Sequence, residues 1–96
     1  MSPNNKKKLN LIRIKLDKLD NKLLDLIKYR TSLVKEVLKL KEFKKEIVDK
    51  KRINFILNKI NGKSKKLNID PKITNRIWKN MIWSYIDYER RNFKKK

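Results

Sequence analysis

Apolar residues return at steps of three and four along the first half of the chain: Ile12, Leu16, Leu19, Leu23, Ile27, Val34 and Val37. That spacing gathers them on one side of an α-helix. No Pro or Gly interrupts the run, so a first helix is expected from about Lys6–Leu9 to about Glu42, roughly 50 Å long. Such a length exceeds the diameter of a 96-residue globule, so the helix asks for a partner chain. EFKKEIVD, residues 42–49, loses the period and reads as a connection. A second helix is expected from about Val48 to Lys66, with Ile53, Ile56, Leu57 and Ile60 inward and Gly62 weakening its last turn. The third start is the best signalled: Asp70 suits an N-cap and Pro71 the first helical position. Its stripe continues through Ile73, Ile77, Met81, Ile82 and Tyr85 toward Glu89, and the tail RRNFKKK is expected to fray into solvent. The pattern carries no strand signal and no internal repeat. The fold class it predicts is all-α, one long helix followed by two shorter ones.

Two residues break the apolar logic of the first stripe. Arg30 falls between Ile27 and Val34, and Lys41 follows Val37 by four residues. If the helix continues through Lys41, the eleven steps from Arg30 leave the two cations about 20° apart around the axis. Burying an unpaired cation costs several kcal/mol, so an anion should meet them.

Composition narrows the chemistry. The chain has no cysteine and no histidine, which excludes disulfides, thiolate chemistry, His-based acid–base catalysis and ordinary zinc sites. The expected cofactor is none, and no metal site is expected. No apolar run approaches membrane-spanning length and the start MSPNNKKKLN lacks a signal-peptide core, so a cytoplasmic protein without a membrane partner is expected. The formal net charge of +19 invites a nucleic-acid reading. Lysines, however, outnumber arginines 23 to 6, and alanine is absent while Asn and Ile abound, as an AT-rich coding sequence imposes. A solvated lysine surface accounts for that charge without a dedicated nucleic-acid partner. Against it the six arginines stand out, since guanidinium suits planar recognition of carboxylate or phosphate.

The ordered set Arg13, LDKLDNKLLDLIKYR ending in Arg30, VLKLK ending in Lys41, IVDKKR with Asp49 and Arg52, and MIWSYIDYER with Glu89 resembles the all-helical chorismate mutases. The resemblance covers about Leu9 to Arg91, leaving residues 1–8 and 92–96 as basic tails around a domain of residues 9–91. It implies an isomerase that converts chorismate to prephenate on the route to Phe and Tyr, built as an intertwined, domain-swapped homodimer. Arg30 would hold one substrate carboxylate and Arg13 of the other protomer the second. Lys41 would reach a carboxylate and the ether oxygen, with Glu89 donating to that same oxygen. Asp49 and Arg52 would line the site, Asp49 chiefly through its backbone, and Val37 and Ile82 would form apolar walls. Two positions depart from the family: many members have Glu where this chain has Ile53, and a small hydroxyl residue where it has Tyr85, which would still border the substrate.

The sequence geometry agrees. Arg13 lies seventeen residues before Arg30, about 25 Å along one helix, so one small molecule cannot touch both within a chain. An antiparallel partner helix could bring them together. Taken singly these residues have plainer roles: Arg30 as an interface-paired arginine, Lys41 and Arg52 as surface charges, Asp49 as a cap, Glu89 as an ion-pair partner, and the Trp and Tyr residues as packing. A basic helical protein that binds nucleic acid or a protein partner is the main alternative. It would not explain arginines on apolar stripes, because phosphate contacts belong on exposed faces.

Overall fold

The computed structural model describes residues 1–94. Lys95 and Lys96, the end of the expected basic tail, lie outside the described residues. Three α-helices and one 3₁₀ turn follow in order: α1 Pro3–Leu40, the turn Lys44–Glu46, α2 Lys50–Lys66 and α3 Pro71–Asn92. No strand occurs among the described residues. The chain divides into two compact units, Met1–Leu33 and Val34–Lys96.

The first unit is the N-terminal part of α1. The helix starts earlier than the sequence suggested, at Pro3 rather than near Lys6–Leu9. Ser2 explains the difference. Its Oγ accepts from the Asn5 backbone N–H at 3.2 Å, and its carbonyl accepts from Lys6 N–H at 2.9 Å. Ser2 is thus the N-cap, and Pro3 occupies the first helical position, where a missing N–H costs nothing. The apolar stripe is present, but α1 buries no residue. Ile12, Leu16, Leu19, Leu23 and Ile27 are each about half exposed, at 46–54%.

The second unit packs α2 against α3 over a small core of Ile47, Ile82 and Ile86, flanked by Val48, Ile53, Ile56, Leu57 and Phe93. Asp49 caps α2, its carboxylate accepting from Arg52 N–H at 3.1 Å. The α2 C-terminus closes with two backbone bonds: Ile69 N–H donates to the Ser64 carbonyl at 2.9 Å and Asn68 N–H to that of Lys65 at 3.2 Å. This Schellman closure needs a left-handed residue, supplied by Asn68 at φ 57°. Asp70 then caps α3 through Lys72 N–H, with Pro71 opening the helix as expected. A buried hydroxyl pair, Ser64 and Thr74 at 2.7 Å, pins the two helices next to that turn. Each hydroxyl also has a backbone carbonyl to bond, Ile60 at 2.6 Å and Pro71 at 3.4 Å.

Three expectations change. The connection 42–49 supplies Ile47, the least exposed core side chain at 3%. On α3, Ile73 and Ile77 are half exposed, because the buried face carries Thr74, Ile82, Ile86 and Glu89. Ile73 sits about 180° round the helix from Ile82, so both cannot face α2. Of the last segment, residues 90–93 do not fray: α3 continues to Asn92, and Phe93 packs on the core.

Ile47 joins the connection to both helices, so Ile47→Ala should cost roughly 2–5 kcal/mol through lost burial and a residual cavity. Ile73→Ala, at a half-exposed position, should cost less than about 1 kcal/mol in the isolated chain. Urea unfolding of the two variants checks the contrast.

Candidate active site

The central feature of the second unit is a buried ion pair. Glu89 lies on the packed face of α3 and is 5% exposed. Lys41 Nζ donates to its Oε1 at 3.0 Å and its Oε2 at 3.3 Å. The two side chains are 18% and 6% exposed, respectively. The two residues that the resemblance assigns to the ether oxygen thus lie side by side.

Lys41 is not on the helix, however. α1 ends at Leu40, two residues before the expected end near Glu42, and Lys41 N–H bonds back to the Leu38 carbonyl at 3.2 Å. Its alignment with Arg30 by helical phase thus stops one residue short. What places Lys41 is the turn after it. Glu46 Oε2 accepts from the N–H groups of Glu42 at 2.8 Å and Phe43 at 3.3 Å. These are the donors left when the chain leaves the helix, and Glu46 satisfies both. Ile47 then anchors the turn in the core. Sequence reasoning missed Glu46 as the residue that shapes this exit. Its signal was an acid three residues after Phe43, the spacing of a capping box.

Of the other residues expected to border the substrate, Ile82 is buried and Tyr85 partly buried, while Val37 is 47% exposed. Ile53, where a polar residue was expected from the resemblance, is partly buried against the core. It presents no hydrogen-bonding side chain. Asp49 spends its carboxylate on capping α2. Arg52 is exposed, and its guanidinium carbon lies 5.3 Å from the centroid of the Phe55 ring. Arg13 and Arg30 belong to the first unit, where Arg13 is exposed and Arg30 partly buried. Seventeen residues of one helix separate them, about 25 Å, so no single ligand bridges them within this chain.

The second unit thus offers an ammonium and a carboxyl, bonded to each other and largely removed from water. No buried side-chain polar atom lacks a partner among the described residues. The same residues contain no cluster of acids fit to hold a metal ion. The chemistry available is hydrogen bonding and charge, without a nucleophile raised against a base.

Comparison with known proteins settles the lineage. The family model for chorismate mutase type II matches residues 12–90. This chain belongs to that family. The matched span begins one residue before Arg13 and ends one after Glu89, so it encloses every candidate site residue. A curated relative, the chorismate mutase of Methanocaldococcus jannaschii, is 38% identical over 76 residues, covering 78% of this chain and 77% of the relative. No solved structure matches the chain.

The Lys41–Glu89 pair can be weighed by a double-mutant cycle. Removing Lys41 alone leaves Glu89 buried without its cation, while removing both partners does not. Lys41→Met, Glu89→Gln and the double variant should therefore show a coupling of about 1–3 kcal/mol in urea unfolding. Additive losses would mean the pair is no more than adjacent.

Proposed function

We propose that this chain catalyses the rearrangement of chorismate to prephenate. The observation that carries the proposal is the buried Lys41–Glu89 pair, set within a chain that belongs to the chorismate mutase type II family. The reaction is unimolecular: a C–O bond breaks as a C–C bond forms, with no nucleophile, base or cofactor. It suits a chain without histidine or cysteine. Catalysis then requires two things. The flexible enolpyruvyl arm must be held over the ring, which is a gain from positioning. The ether oxygen must also be met by donors as negative charge grows on it.

Lys41 supplies one donor. Glu89 supplies the second when it carries a proton, and the substrate's ether oxygen takes the place between them that their mutual hydrogen bonds now fill. Arg30 holds one carboxylate of the substrate. Arg13 holds the other, from a second copy of the chain, because about 25 Å of helix separates it from Arg30 of its own. The half-exposed stripe Ile12, Leu16, Leu19, Leu23 and Ile27 supports that assembly, since a contiguous apolar surface of this length is costly to leave in water. An antiparallel, domain-swapped homodimer covers it and completes two shared sites. Asp49 and Arg52 line the entrance at the start of α2, and Val37, Ile82 and Tyr85 border the ring.

Loss of chorismate absorbance in the presence of the purified protein tests the reaction, with Arg30→Ala as the control expected to lose at least a hundredfold in kcat/KM, about 3 kcal/mol. Absence of turnover in the unsubstituted protein would overturn the proposal. The shared site makes a sharper demand. Arg13→Ala and Arg30→Ala homodimers should each be nearly inactive, yet mixing them should restore roughly a quarter of the original activity, because half the dimers then hold one intact site. No recovery on mixing, with exchange verified by mass, would place both arginines in one chain's site or in none.

Glu89 as a donor makes a second demand. Glu89→Gln keeps an N–H donor towards the ether oxygen and should retain activity, whereas Glu89→Ala removes the donor and should lower kcat/KM at least tenfold. Equal losses in the two variants would remove Glu89 from the donor role.

A further inference from the structure

We infer that Phe55 is a positioning residue for Arg52, holding its guanidinium off the substrate site until substrate recruits it. This rests on the proposal that Arg52 binds substrate. Phe55 is 55% exposed on α2, an apolar ring left in water. Around the helix it lies about 180° from Ser64, the residue that α2 buries, whereas Arg52 lies about 120° from it. The ring thus draws Arg52 away from the α3-facing side of α2, towards solvent.

The contacts of Arg52 point the same way. Its guanidinium carbon sits 5.3 Å from the Phe55 ring centroid, and Lys59 Nζ lies 5.9 Å from the same centroid. The ring therefore carries two cations, from one turn before and one turn after. Asp49, the nearest acid in sequence, is committed to the backbone N–H of Arg52 and makes no ion pair with its side chain. No carboxylate among the described residues pairs with that guanidinium. Arg52 is held by the face of the ring, while its N–H groups, which lie in the guanidinium plane, stay available for an anion. A carboxylate bound on the α3-facing side of α2 can take them only once Arg52 leaves the ring. A cation–π contact at an exposed site is weak enough to yield and strong enough to register in affinity.

Steady-state kinetics with chorismate on Phe55→Ala and Phe55→Trp, each in the unsubstituted and the Arg52→Ala background, tests the inference. The expected result has opposite signs. Phe55→Ala lowers KM by about two- to fivefold and Phe55→Trp raises it, Trp being the stronger cation–π partner, with kcat unchanged in both. In the Arg52→Ala background both effects vanish. Far-UV circular dichroism should show all the variants folded, as expected for an exposed ring. Phe55 variants that leave KM unmoved, or shift it in the same direction with or without Arg52, overturn the positioning role while Arg52→Ala still raises KM. If Arg52→Ala itself leaves KM unchanged, the assignment of Arg52 to substrate fails, and this inference fails with it.

Discussion

A carboxylate at 5% exposure needs a cation, and Lys41 supplies one to Glu89. Much of the local architecture follows from that need. The ammonium must arrive from the end of α1, so the helix has to stop at Leu40 and turn at once. Stopping releases backbone donors, and Glu46 takes two of them. The turn then has to be held against the core, which Ile47 does between Ile82 and Ile86. A buried ion pair of this kind contributes little net stability, since desolvation offsets much of the Coulomb gain. What it fixes is geometry: the separation of the two groups that the proposed reaction needs at one atom of the substrate.

The first unit poses the complementary problem. α1 has apolar side chains along one stripe and buries none of them. A lone helix gains little from such a stripe, because in water most helical stability comes from packing an amphipathic face. In the proposed dimer the same contact that covers these side chains also carries Arg13 to a site it could not otherwise reach. Assembly and catalysis then share one interface. On that reading, completing the site and covering the apolar stripe of α1 are the same event.

The parts legible in the sequence were those governed by local rules. Asp70 followed by Pro71 marked the start of α3, Asp49 was recognisable as a cap, and the apolar period fixed the number and order of helices. The same local rule was present at Ser2–Pro3, but the lysine run behind it read as a tail, and the helix start was placed too late. Ile47 was missed for a different reason. One apolar residue in a short polar connection has no period, and only the packing of α2 on α3 creates the socket it fills. Ile73 and Ile77 show the limit of periodicity itself. Both share a stripe with Met81, but which side of α3 faces α2 depends on residues of another element. The resemblance pointed Lys41 and Glu89 at one ether oxygen without naming the ion pair they form, whereas the contact of Arg52 with Phe55 escaped notice because an aromatic among cations on a polar helix face looks like ordinary surface.

Lys41 and Glu89 satisfy each other, so their pairing leaves no orphaned charge in the core. For the proposed reaction this has a consequence for binding. The cost is deferred to substrate binding. On the proposed reading, a dianion entering between them gives Lys41 a new acceptor, and part of its binding free energy goes into separating the pair. The gain returns when the breaking C–O bond loads charge onto the oxygen that both groups then face. Interactions that strengthen only as the transition state forms are those that raise kcat rather than merely lower KM, and a pair that is content without substrate is suited to that role.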